Sequence, residues 1–368
     1  MNKIRKAALS GIAVLAATTT LAACGEAPEE SSSASGGGSS EATSDFLPCI
    51  VSDAGGFDDK SFNQLSYEGV KKAAEELGAD FKPVESNSEN DYAPNLENLV
   101  AQGCNAIVTV GFALSAATIE SANANPDIDY ILIDDAADAE FDGTVDAPNI
   151  KPLLYDTAQA AFLAGYAAAD YSKTGVVGTY GGQPFPTVTI FMDGYRQGVE
   201  YYNEQKDADV QVRGWDGENG SFTGGFEANQ TATNTATQLL DQDVDVILPV
   251  GGPIYQGALT AIADSGNDVA LVGTDADVYE SDPDTQDVIL TSIEKKMDTS
   301  TYEAVMAAGN DEFDPATYVG TLENDGVAIA SFHDFESKVP DTLAGELEDI
   351  KAGIIDGSID VSSKSAFN

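Results

Sequence analysis

Carboxylates, aromatic rings and glycines recur together in this chain at the ends of apolar runs. The densest case is DAGGFDDKSFNQ, Asp53 to Gln64, directly after the apolar FLPCIVS. A carboxylate accepts hydrogen bonds from N–H and O–H donors, a phenyl ring offers a flat apolar face, and glycine lets backbone come close to whatever is held. The same chemistry returns in TVGF (109–112), IDD (133–135), TYGG (179–182), PVGG (249–252) and GTDAD (273–277). Loops of this composition at the ends of strands are where a ligand is held, and whether it is a metal, a phosphate or a neutral molecule is for the rest of the chain to settle. Catalytic machinery is sparse: His333 in SFHDF is the one histidine and reads as a hydrogen-bonded structural residue. The chain has no G-x-x-x-x-G-K-[ST] phosphate loop, no H-E-x-x-H and no G-x-S-x-G.

Such loops need a scaffold that brings them together. From Phe46 onward strand-like runs alternate with helix-like ones, the pattern of parallel sheets covered on both faces. FLPCIVSD, DFKPVES, CNAIVTVGF and DYILIDD read as strands of a first Rossmann-like domain, and TGVVGTYGG, VQVRGWDG, VDVILPVGG and VALVGTDAD as strands of a second. The expected boundaries are 46–155 plus about 286–320 for the first domain, and 156–285 plus about 321–368 for the second. In doubly wound sheets ligands lie at the carboxyl ends of strands. Two domains facing each other turn those ends into one interdomain cleft. Asp58 and Asp59 precede a helix that begins near Ser61, and read chiefly as caps of its positive end. Trp215 reads as packing near a strand end.

The first 23 residues have the form of a secretory signal: Lys3, Arg5 and Lys6 lead an apolar, Thr-diluted run too short to span a membrane comfortably. Leu21-Ala22-Ala23-Cys24 resembles the lipobox of bacterial lipoproteins, which implies acylation of Cys24. Residues 24–45, rich in Ser, Gly and Glu, read as a flexible tether. Without the signal the chain holds 62 acids against 14 bases, a surface that repels nucleic acid and anionic lipid. Cys49 and Cys104 each lie at the start of an apolar run; as neighbours in a parallel sheet they form either a disulfide or two buried thiols. Their spacing, with only His333 elsewhere, does not suit zinc, and no metal or cofactor is expected.

One enzyme class shares part of the first motif. Calcium-dependent nucleoside hydrolases carry D-x-D-P-G-x-D-D, but here Val51 and Ala54 replace its first Asp and its Pro, and an extra residue separates Asp53 from Asp58-Asp59. That set is a poor calcium cage. The fuller resemblance lies elsewhere. SDAGGFDDKSFNQLSYEGV, LIDD, FMDGYRQGVEYY, NGSFTG, PVGG, VGTDAD, LTSIEKKMD and GVAIASFHDFESKVP occur in order across about 320 residues. They resemble the basic membrane protein family of substrate-binding lipoproteins, in particular its purine nucleoside receptor branch. The resemblance implies an α/β, type I periplasmic-binding-protein fold, no catalysis, and delivery of a nucleoside to the permease and ATPase subunits of an ABC importer. It further implies stacking by Phe62 and Phe222 and base-edge contacts from Asp53, Asp134 and Asn63. Asp275 and Lys295, with Lys296 as the alternative register, would hold ribose, and Gly251 or Gly252 would allow close backbone approach. Another solute such as a sugar or amino acid, or a sensor ectodomain, is compatible with the same fold.

Changing Cys24→Ser is expected to abolish fatty-acid labelling and move the protein from membrane to soluble fractions, because acyl chains supply the hydrophobic anchor. Fractionation of labelled cells checks this; unchanged membrane association with no loss of label would refute it.

Overall fold

The computed structural model describes residues 45–140 and 142–366. The signal segment, Cys24 and the tether lie outside them. In the first lobe the chain runs β1 (Pro48–Val51), α1 (Phe62–Leu77), β2 (Lys82–Val84), α2 (Tyr92–Ala101), β3 (Ala106–Val110), α3 (Ser115–Ala124), β4 (Asp129–Ile133) and β5 (Ile150–Tyr155). The second lobe holds α4 (Thr157–Tyr171), β6 (Val176–Gly181), α5 (Pro186–Lys206), β7 (Gln211–Arg213), α6 (Gln230–Leu240), β8 (Val246–Val250), α7 (Tyr255–Ser265), β9 (Ala270–Asp275), α8 (Val278–Ser281) and β10 (Ile289–Lys295). The chain then returns to the first lobe for α9 (Met297–Gly309) and β11 (Tyr318–Gly320), and crosses again for β12 (Val327–Ile329) and α10 (Leu343–Ile355).

Each lobe is built on one six-stranded sheet, in the orders β11-β5-β4-β3-β1-β2 and β12-β10-β9-β8-β6-β7. Every pairing is parallel except β10 with β12. The central strands AIVTV and VILPV are buried along their whole length, as strands covered on both faces must be. In the second lobe α4 is almost entirely buried because α5 lies unusually close. A side-chain carbon on Gly165 would fall 2.0 Å from the Tyr195 carbonyl oxygen, and one on Gly198 2.0 Å from that of Phe162. Only glycine permits that approach.

The expected boundary near residue 286 is corrected. β10 pairs with β9 and β12 and so belongs to the second lobe, because Ile289–Ile293 supplies a buried strand to that sheet. The return to the first lobe begins at α9, which packs on α1 where Gly69 meets Asp298 and Thr301. Three crossings therefore join the lobes: after Tyr155, at Lys296, and between Gly320 and Val327. They are tied to one another by Asp156 N–H donating to Gly320 O (2.8 Å) and Lys296 N–H donating to Gly326 O (3.0 Å).

Cys49 in β1 and Cys104, two residues before β3, are joined in a disulfide with Cα atoms 6.0 Å apart. The two strands are parallel neighbours, which brings their starting ends together. The bond closes a separation of 55 residues, for which chain-entropy arguments give a stabilisation of up to about 4 kcal/mol. The denatured, unreduced protein is expected to show no titratable thiol from Cys49 or Cys104. The Cys49→Ala, Cys104→Ala pair should lower unfolding stability in urea by about 2–4 kcal/mol.

Candidate functional site

A cavity of about 290 Å³ lies between the lobes, at the small end of the range for small-molecule sites, about 300–1,000 Å³. Five of the six motifs that end strands reach it, through Asp53, Phe112, Asp134, Gly251 and Asp275, and Gln183, the residue after TYGG, lines it as well. Packing of strands side by side in each sheet, rather than proximity in sequence, brings these residues together.

The first wall is built on the start of α1. Asp59 is buried and its carboxylate accepts the backbone N–H groups of Ser61 (3.0 Å), Asn63 (2.8 Å) and Gln64 (3.1 Å), satisfying the donors a helix start leaves open. It also accepts Asn63 Nδ2 at 3.1 Å. The other amide proton of Asn63 goes to Asp53 Oδ1 at 2.8 Å, and its Oδ1 accepts Asp53 N–H at 3.2 Å. The amide of Asn63 is thus spent within the protein. Asn63 lines the cavity but orients Asp53, where the resemblance implied a ligand contact. Asp53 Oδ1 additionally accepts Gly55 N–H at 2.8 Å, while among the described residues no donor takes Asp53 Oδ2. Asp58 has a different role: it is exposed and pairs with Lys60.

Deeper in the cleft, Lys295 lies between two carboxylates from opposite lobes. Its ammonium donates to Asp134 Oδ2 and sits 3.4 Å from Asp275 Oδ1. The three residues are 3–5 % exposed. Both aspartates follow or end the strand at the centre of their lobe and take left-handed backbone, φ 64° and 69°, a conformation Asp tolerates better than most residues. Among the described residues Asp275 Oδ1 has no partner besides the Lys295 ammonium. Lys296 turns to Glu294 (2.7 Å), which leaves Lys295 as the cavity residue.

Burial governs the protonation of this group. It pushes Asp53 up to about 6 against the pull of its Gly55 and Asn63 donors. It pushes Asp134 up to about 6 as well, despite the nearby ammonium. Burial also raises Asp275 and Asp59. Burial alone would depress Lys295, but the two carboxylates outweigh it and hold the ammonium above its usual value. One cation shared by two anions is stabilised by both, while each anion receives only part of its help.

The aromatic surface departs from expectation. Phe62 lines the cavity from the first lobe, but Phe222 does not line it. Phe222 bridges to β6 at Gly181 and packs edge-on against Trp215, with ring centroids 6.2 Å apart. Four residues later Phe226 takes the position facing the cavity. A side-chain carbon on Gly182 or Gly251 would come within 2.3 or 2.7 Å of its ring, so those glycines make its seat. Gly252 lines the cavity beside it. Trp215 is buried and donates to Asp193 Oδ1 at 2.8 Å. His333 lies outside the cavity, 2.8 Å from Asp277 and stacked on Tyr279. Phe112, Phe185 and Tyr92 also face the cavity and were not singled out from sequence. Each sits just after a strand or at a helix start, so position relative to strand ends was the available signal.

Residues 47–361 match the family described as "ABC transporter substrate-binding protein PnrA-like". The chain belongs to this family, Bmp. It is similar to the "CD4+ T-cell-stimulating antigen" of Listeria monocytogenes, 28% identical over 88% of this chain and 90% of that protein. It is also 28% identical to the "ABC transporter nucleoside-binding protein BmpA" of Lactococcus lactis, over 87% of this chain and 90% of the relative. A solute-binding protein of an ABC transporter system from Aeropyrum pernix K1 superposes with a TM-score of 0.75 and 25% identity, over 86% of this chain and 92% of that one. The architecture is that of the type I periplasmic binding proteins, and the chain is an ABC-transporter substrate-binding protein. Among the described residues no helix is long and apolar enough to cross a membrane.

Asp53 supplies a pH test whose sign is set by its raised value. The folded protein holds this proton up to about pH 6, the unfolded chain only to about 3.9, so the group's cost to folding is absent below about pH 4 and complete above about pH 6. Asp53→Asn is expected to stabilise the ligand-free protein by about 2 kcal/mol at pH 7.5 and not at pH 4, as read by urea unfolding at both values.

Proposed function

We propose that this Bmp protein captures nucleosides at the outer face of a membrane, to which acylated Cys24 anchors it, and hands them to the permease and ATPase subunits of an ABC importer. The observation that carries this reading is the cavity's pairing of flat rings with unspent acceptors, while its cation is already committed. Phe62 from one lobe and Phe226 from the other offer faces to a base. Asp53 Oδ2 is available to donors on the base edge, and Asp275, which lines the cavity, would take the ribose hydroxyls. Among the described lining residues Lys295 is the one cation, and Asp134 and Asp275 already neutralise it.

That charge balance supports nucleoside over nucleotide. A phosphate would meet Asp53, Asp59, Asp134 and Asp275 with no free cation to offset them. An α-amino acid would bring its own carboxylate into the same field. The printed name of the Lactococcus lactis relative agrees with the reading.

Titration calorimetry of refolded, ligand-stripped protein is expected to show binding to one or more of adenosine, guanosine, inosine, cytidine and uridine, and none to leucine or galactose. Phe62→Ala and Phe226→Ala should each weaken binding by about 1–3 kcal/mol through lost stacking, whereas Phe222→Ala should leave it within error. Asp275→Ala should narrow the preference for ribosides over free bases. If no nucleoside binds at millimolar concentration while a sugar or amino acid does, the nucleoside reading is wrong.

A further inference from the structure

Three phenylalanine rings form a chain across the cleft. Phe112 follows Gly111 at the end of β3 in the first lobe, Phe185 lies in the loop between β6 and α5, and Phe226 lies between β7 and α6. Phe112 and Phe185 meet across the lobes with centroids 5.0 Å apart and planes tilted by 35°. Phe185 and Phe226 continue the chain at 5.7 Å. All three are half-buried, whereas Asp134, Asp275 and Lys295 on the same cavity are buried, so the rings are more open to solvent than the ionic group.

Each ring is held. Gly111 takes φ 108°, which turns Phe112 toward the cleft. Pro186 begins α5 directly after Phe185, which is extended at φ −77°, ψ 149° and accepts Thr189 N–H at 2.9 Å through its carbonyl. Phe226 rests in the space left by Gly182 and Gly251. The Phe112–Phe185 contact therefore joins the two lobes when the cleft is closed.

We propose that Phe185 sets the upper size of the ligand this cleft encloses. Its ring, wedged between Phe112 of the facing lobe and Phe226, ends the cavity on the solvent side, and a ligand with bulk beyond that point holds the lobes apart. The inference rests on the nucleoside reading for its ligand class. It admits unsubstituted nucleosides and rejects those extended by a large group at the end that meets the rings.

The test compares adenosine, N6-benzyladenosine and 5′-O-benzyladenosine, the two benzyl positions covering either orientation in the cavity. Wild type should bind adenosine and discriminate against at least one benzyl derivative; Phe185→Ala should shrink that discrimination by about tenfold or more. Phe112→Ala removes the same contact from the other lobe and should act in the same direction, so a poorly folded Phe185→Ala protein does not decide the matter. Discrimination unchanged within about twofold in the folded variants, or wild-type binding of both benzyl derivatives as tight as adenosine, overturns the proposal. Should wild type take galactose and no nucleoside, the nucleoside reading fails. Galactose against its benzyl glycoside then measures the same ratio: a shift in the variants upholds the role of Phe185, and none removes it.

Discussion

The buried link from Asp134 through Lys295 to Asp275 constrains everything built around the cleft. An ammonium removed from water is tolerable only beside compensating carboxylates, and here they come from different lobes. The chain meets that demand by ending β4 and β9, the corresponding strands of the two sheets, in an aspartate with left-handed backbone. Lys295 ends β10 immediately before the second crossing, so the link lies beside the hinge. The lobes are thereby tied at the inner end of the cleft, while the outer end is free to depend on a ligand and on ring contacts. Because one cation serves two anions, the inner end remains acidic and favours neutral partners that bring hydrogen-bond donors.

The same economy explains the crowd of acids between Asp53 and Asp59. Asp53 and Asp59 both line the cavity, and Asp53 alone keeps a carboxylate oxygen without a donor among the described residues. Asp59 is consumed by the open N–H groups of α1 and by Asn63, and Asn63 in turn fixes Asp53. A carboxylate held by two donors on one oxygen keeps its other oxygen in a defined direction, which is what selective hydrogen bonding requires. Phe62 is the first residue of α1, so the bonds that cap the helix also set the place of the ring.

Much of this was legible in the sequence because it depends on local pattern. Buried runs such as AIVTV and VILPV announce parallel strands, and the glycine and aspartate that end them announce a cleft. What was hidden depends on which way a side chain leaves an irregular loop. NGSFTGGFE offers two phenylalanines four residues apart, and nothing local tells which faces the cavity. The choice is made by Gly182 and Gly251, from two other strand ends, which leave room for Phe226, while Phe222 is taken up by Trp215. Asn63 shows a similar limit: its type suits ligand contact and it lines the cavity, but Asp53 and Asp59 already use both ends of its amide. The position of β10 was obscured because a strand that leads to a crossing belongs by pairing to one lobe and by connection to the other.

The strong acidity of the whole chain and the acidity of the cleft are separate matters. With a formal net charge of −45, most carboxylates lie on solvated surfaces, where ions screen them within about 8 Å at physiological salt. They govern solubility and repel polyanions at long range. The carboxylates of Asp134 and Asp275 are buried and that of Asp53 is half-buried, so they are screened less, in line with the upward push of burial on each of them. Salt therefore changes how the protein meets other macromolecules more than which small molecule the cleft accepts. What the cleft presents inside is fixed: the rings of Phe62 and Phe226, the carboxylate of Asp53, and an ammonium already shared by Asp134 and Asp275.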